Sequence, residues 1–181
     1  LDASFDGVIF LGYHAMAGDR DGFLAHTGTG SVKGLWLNGL EVGEGGMNAV
    51  FAGSHGVPVI LAAGDSAAVA ELGGLLHTET VTTKTAETPS AARLVHPERV
   101  LEMLRGATER ALARLDQDGF EPLSIGSPVT ITMRFASTTH VDILQSIPGV
   151  TKLDGFTVEY TAANADEAYR LIRLMYRFVR V

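Results

Sequence analysis

The chain has 181 residues, 46% of them apolar and 19% charged, so it is long and apolar enough to bury a sizeable core and is globular rather than disordered. Fourteen Lys+Arg against 21 Asp+Glu give a net charge of −7 with scattered basic residues, which argues against a nucleic-acid partner or an anionic membrane surface. There are no cysteines, and that excludes a disulfide framework, a thiolate metal site and cysteine catalysis. The most apolar stretch, residues 57–76, is broken by Pro58, Asp65 and Glu71, and nothing resembles a signal peptide. A cytoplasmic protein without membrane contact is therefore expected.

Residues 7–11, GVIFL, are apolar on both faces and end at Gly12, which predicts a buried strand. Residues 13–30 have no periodicity and contain four glycines, which predicts a long loop of the kind that carries function. Residues 32–37 and 40–42 flank Asn38-Gly39, a pair that supplies the two positive φ angles of a type I′ hairpin turn. A short helix over 45–54 is stopped at Gly56. Residues 57–63 predict a second buried strand with Pro58 at its start, and Asp65-Ser66 cap a helix to about residue 76. Residues 80–84 read as a third strand.

The clearest helix is 97–115, with Pro97 in its first turn and Val100, Leu101, Leu104, Ala107, Ala111, Leu112 and Leu115 on one face. Val129, Ile131, Met133 and Phe135 alternate with Thr130, Thr132 and Arg134, as in a strand with one polar face. A short helix over 139–146 ends at Pro148-Gly149, and 156–161 is a further strand. Asn164 with Glu167 opens a last helix to residue 181, on which Arg170, Arg173, Arg177 and Arg180 form a solvated face. Strands alternating with helices predict a single α/β domain over 1–181, with a mainly parallel or mixed sheet and helices on both faces. Catalytic loops are then expected at the C-terminal ends of the strands.

Six histidines are available for chemistry. His14 follows the first strand and His26 closes the same loop, while Glu44 follows the hairpin in Val-Gly-Glu-Gly-Gly. Two imidazoles and a carboxylate suit zinc, although this spacing is not a same-face helical pair. Each also has a plainer reading: a loop histidine bonded to backbone for His14, a partly exposed loop side chain for His26, and a helix-start carboxylate for Glu44. Asp65 reads first as an N-cap and second as a ligand-facing carboxylate. Lys84 and Arg93 could hold an anion but fit surface positions better. His96 opens a helix, and His55, His77 and His140 read as structural or exposed. The Gly43–Gly46 segment is not a phosphate loop, and no Gly-x-Ser-x-Gly elbow is present.

The segments DGVIFLGYHAMAG (6–18), LAHTGTG (24–30) and LNGLEVGEGGMNAVFAGSHGVPVILAAGDSA (37–67) resemble the zinc D-aminopeptidases, peptidase family M55. Weaker matches lie around Lys84, at AARLVHPE (91–98) and at PGVTKLDGFTVEY (148–160). The resemblance implies hydrolysis of the bond after an N-terminal D-amino acid, such as D-Ala, in short peptides by a zinc-bound water at a two-zinc site. It makes His14 and Glu44 zinc ligands and His26 the catalytic residue. It also implies a homo-oligomer, often a decameric ring.

Family members begin with a strand carrying Asp-x-Glu, with a further His before the GYH motif. Those ligands have no counterpart here, since Asp2 and Asp6 stand in the wrong place. The chain is expected to be the C-terminal two thirds of a longer peptidase. An upstream segment, on the same or another polypeptide, would complete the site, and an apolar strand edge should be exposed without it. Two other readings stay open: a non-catalytic peptide-binding or scaffold subunit with an incomplete zinc site, and a metal-free sheet-edge enzyme using Lys84 and Arg93.

Overall fold

A computed structural model describes residues 1–2, 4–117 and 119–179 of the chain. They fall into two compact units, each with its own sheet. The first comprises residues 1–15, 19–25 and 52–124; the second comprises 16–18, 26–51 and 125–181.

The sheet of the first unit has the order β1-β4-β5-β6, formed by β1 (Val8–Tyr13), β4 (Val59–Asp65), β5 (Glu79–Thr88) and β6 (Ala91–Leu94). β1, β4 and β5 run parallel, and β6 returns antiparallel along β5, so this sheet is mixed. Every residue of β4 is buried, as its unbroken run of small and branched apolar residues requires. Two helices, α2 (Ser66–Leu76) and α3 (Pro97–Leu115), pack on β4 and β5. Ala107 and Ala111 of α3 meet Ile60, Leu61, Ala63, Val81 and Phe120 in one apolar cluster. These alanines let the helix approach closely. Leu101 and Leu112, assigned to the same face from periodicity, are 64% and 49% exposed. The contact stripe is narrower than the apolar stripe.

The apolar run over 7–11 predicts a buried strand and, separately, an exposed apolar strand edge; the structure corrects the first and shows the second. β1 is an edge strand, paired with β4 only among the described residues, and Ile9 and Leu11 are 39% and 63% exposed while Phe10 is buried. An apolar run satisfies a central and an edge position equally, and pairing decides between them. β6 also escaped the sequence reading, because AARL is short and carries a charge.

The second unit holds an antiparallel sheet ordered β3-β2-β7-β9-β8. Its strands are β2 (Val32–Leu37), β3 (Leu40–Glu41), β7 (Val129–Phe135), β8 (Thr151–Lys152) and β9 (Thr157–Ala162). The β2–β3 turn has φ +49° at Asn38 and +81° at Gly39, as the Asn-Gly pair predicts. Asn38 also serves β7: its side-chain oxygen accepts from the Thr130 amide at 2.7 Å, and its Nδ2 donates to Ile125 O.

Helix α1 (Glu44–Ser54) lies in this unit through Phe51. With it are α4 (Thr138–Leu144) and α5 (Ala165–Phe178). α5 buries Ala165, Ala168, Ile172 and Met175, and Asn164 Oδ1 caps it by accepting from the Glu167 amide at 3.0 Å. Glu167 in turn accepts from the Ala163 amide, one residue before the cap, and from the Tyr160 hydroxyl. The helix ends at Phe178; Arg180 and Val181 lie outside the described residues.

Asp65 resolves to its capping role. It is fully buried at the end of β4, its Oδ1 accepting from the Ala68 amide at 3.0 Å and its Oδ2 from the Phe23 amide at 2.7 Å. One carboxylate therefore starts α2 and pins the 19–25 loop. Asp65→Ala strands one buried and one part-buried N–H donor, and we expect it to lower unfolding free energy by about 3 kcal/mol. Urea denaturation of the variant measures that loss.

Candidate functional site

His14 belongs to the first unit, at the C-terminal end of β1. Its Nδ1 lies 3.2 Å from the Ala15 carbonyl oxygen, a bond that requires the proton on Nδ1. A backbone carbonyl on one ring nitrogen fixes the orientation of the imidazole, as such partners do for metal-ligating histidines.

The second unit brings His26 and Glu44 together. Residues 26–31 form a tight turn into β2: the Thr29 amide donates to Thr27 O at 2.7 Å, and the Val32 amide to Thr29 O at 3.2 Å. Thr27 is buried, and its hydroxyl oxygen accepts from the Ala17 amide at 2.9 Å, which ties the two ends of the long loop. Gly28 follows with φ +70°, and its amide donates to Glu44 Oε1 at 2.9 Å.

Glu44 is the first residue of α1, where the helix dipole favours a carboxylate. The Gly43 carbonyl accepts from the Met47 amide at 3.0 Å, closing the first turn. His26 Nε2 stands 3.5 Å from the same Glu44 Oε1. The His26 and Glu44 side chains are 41% and 29% exposed, so solvent and a small ligand can reach both. An imidazole nitrogen beside a carboxylate oxygen is an N,O donor pair of the type zinc takes.

Tyr176 of α5 completes this surround. Its ring lies where a side chain on Gly28 would go, and its hydroxyl is 3.9 Å from Met47 Sδ. Burial first, then the Glu44 charge, raises its phenol well above the ordinary value of 10.0, so the ring is neutral. Sequence reasoning missed Gly28 and Tyr176. The TGTG turn gave a weak hint of the first, but Tyr176 lies 129 residues beyond Met47 and no local pattern marks it.

The other candidates fall away from chemistry. Arg93 Nη2 pairs with Glu87 at 2.6 Å within the β5–β6 hairpin, and Lys84 sits opposite Leu94 there. His77 is the left-handed C-cap of α2 with φ +50°, and His96 is the N-cap residue of α3. His140 is buried edge-on to Phe135.

Residues 1–174 match the family Peptidase M55, D-aminopeptidase, and the chain belongs to that family. It is 32% identical over 177 residues to a D-aminopeptidase of Bacillus subtilis (strain 168), covering 97% of this chain and 64% of that protein. Among solved structures it resembles the Zn-dependent D-aminopeptidase DppA from Bacillus subtilis, a self-compartmentalizing protease, with a TM-score of 0.93 and 31% identity. That match covers 98% of this chain and 65% of the other. The chain thus spans just under two thirds of the length of these relatives. Among the described residues no helix is long and apolar enough to cross a membrane.

Because Tyr176 keeps its proton in the folded protein above the pH at which an unfolded tyrosine loses it, its contribution to stability is full below about pH 10 and declines above. Denaturation followed from pH 8 to 11 is expected to show that decline, and Tyr176→Phe is expected to flatten it.

Proposed function

We propose that the chain is part of a zinc-dependent aminopeptidase that hydrolyses the bond after an N-terminal D-amino acid, such as D-Ala, in short peptides. The observation that carries this reading is the His26–Glu44 pair, 3.5 Å apart on a loop and a helix start joined by the Gly28 amide. Membership of the D-aminopeptidase family and the zinc dependence of a relative support it.

His14, through Nε2, and Glu44, through its carboxylate, would hold zinc, two ions per protomer in the complete site. When bound, zinc supplies Lewis acidity and lowers the pKa of a bound water toward neutrality. His26 is the proton-moving group. Its imidazole can take a proton from an attacking water or return one to the departing amine. Glu44 fixes the orientation of that ring through Oε1. The peptide's N-terminal residue would enter on the exposed side of His26.

Assembly into a closed homo-oligomeric ring fits the self-compartmentalizing relative. A cytoplasmic location and the completion of the ligand set by a further segment belong to the same reading.

The test is the native assembly, with zinc measured by elemental analysis and D-amino acid release measured on D-Ala peptides and their L-counterparts. The reading expects about two zinc per protomer, activity lost to a chelator and restored by zinc, and preference for the D-peptide. His26→Ala should lower kcat by roughly 10²–10⁴-fold with zinc retained. Glu44→Gln should lower zinc content. An assembly that holds no zinc and releases no D-amino acid would sink the peptidase and leave the scaffold-subunit reading in its place.

A further inference from the structure

The bond between Gly28 and Glu44 is local, but the group that covers it comes from the last helix. Tyr176 lies against Gly28. A Cβ on Gly28 would fall among the Cδ2, Cε2 and Cζ atoms of the Tyr176 ring, so the ring roofs the peptide whose amide reaches Glu44. On its other side the Tyr176 hydroxyl meets Met47 Sδ at 3.9 Å. Met47 is buried and sits three residues after Glu44, one turn along α1.

A second contact prevents α5 from sliding along α1. Tyr169 stacks on Phe51, with centroids 4.2 Å apart and planes at 19°. Tyr169 and Tyr176 are seven residues apart, about two turns, and share a face of α5; Met47 and Phe51 are four apart and share a face of α1. α5 is itself anchored by Ile172 and Met175, both fully buried. An unroofed glycine amide would be open to water, which competes for the proton that Glu44 now receives.

We propose that Tyr176 is a positioning residue: by roofing Gly28 with its ring it keeps the Gly28 amide on Glu44 Oε1 and so fixes Glu44 and His26 for their roles. The functional part of this inference rests on Glu44 being a zinc ligand; the structural part does not. The ring does the roofing, so Tyr176→Phe retains the function and Tyr176→Ala loses it.

The experiment compares the full chain in its native assembly as wild type, Tyr176→Ala, Tyr176→Phe and Glu44→Gln. Zinc affinity is read by chelator competition, and Gly28 amide exchange is read by NMR or by mass spectrometry on the zinc-free protein. Tyr176→Ala is expected to weaken zinc binding roughly tenfold, the scale of outer-shell changes, and to speed Gly28 exchange by a similar factor. Tyr176→Phe should stay within about twofold on both readouts.

If Glu44→Gln leaves zinc affinity unchanged, the metal reading fails and the Gly28 exchange rate alone decides the brace. If Glu44→Gln weakens zinc binding while Tyr176→Ala changes neither readout, the brace is overturned and the metal reading stands. A Tyr176→Phe variant as impaired as Tyr176→Ala also overturns it, because the roof is present in both wild type and Phe. Should Tyr176→Ala fail to fold, Tyr176→Leu keeps apolar bulk on α5 without a flat ring and is read by the same criteria.

Discussion

The Gly28 amide gives its hydrogen to Glu44 Oε1, and the shape of the surrounding segment follows from what that bond requires. A charged acceptor makes it a stronger bond than one between neutral groups. Its donor must approach a helix start closely, and Gly28 does so with φ +70°, a conformation that costs glycine little. Buried Thr27 holds the neighbouring turn by taking the Ala17 amide, and this leaves His26 at the mouth of the loop beside Glu44. The carboxylate thus has three jobs: it favours the helix start, it anchors the loop, and it faces an imidazole.

The two units solve different burial problems. In the first, β4 is covered on both faces, so its sequence carries no polar alternation and its one carboxylate, Asp65, has backbone donors on both oxygens. A buried charge is tolerated on those terms. In the second, β7 is buried at alternate positions only, and its intervening Thr130, Thr132 and Arg134 are part-buried or exposed. Its helices contribute stacked and sulfur contacts, Phe51 on Tyr169 and Met47 on Tyr176, that tie the last helix to α1.

Family membership gives these residues their meaning. The chain belongs to the D-aminopeptidase family and carries an imidazole and a carboxylate side by side, with a second imidazole whose Nδ1 meets the Ala15 carbonyl. The zinc-dependent relative has the same fold along nearly all of this chain, and its own length extends well beyond it.

Elements whose causes are local can be read along the chain. The Asn38-Gly39 turn, the Pro97 start of α3, the Asp65 cap, the Asn164 cap and the alternation of β7 all depend on side chains within a few residues of where they act. The motifs around His14, His26 and Glu44 were legible for a similar reason: each is a short ordered string. Tertiary structure decided the rest. It narrowed the buried face of α3 to exclude Leu101 and Leu112, and paired β2 with β7 in a separate antiparallel sheet. It also brought Tyr176 onto Gly28, a contact that depends on the packing of helices far apart in sequence and leaves no periodicity to read.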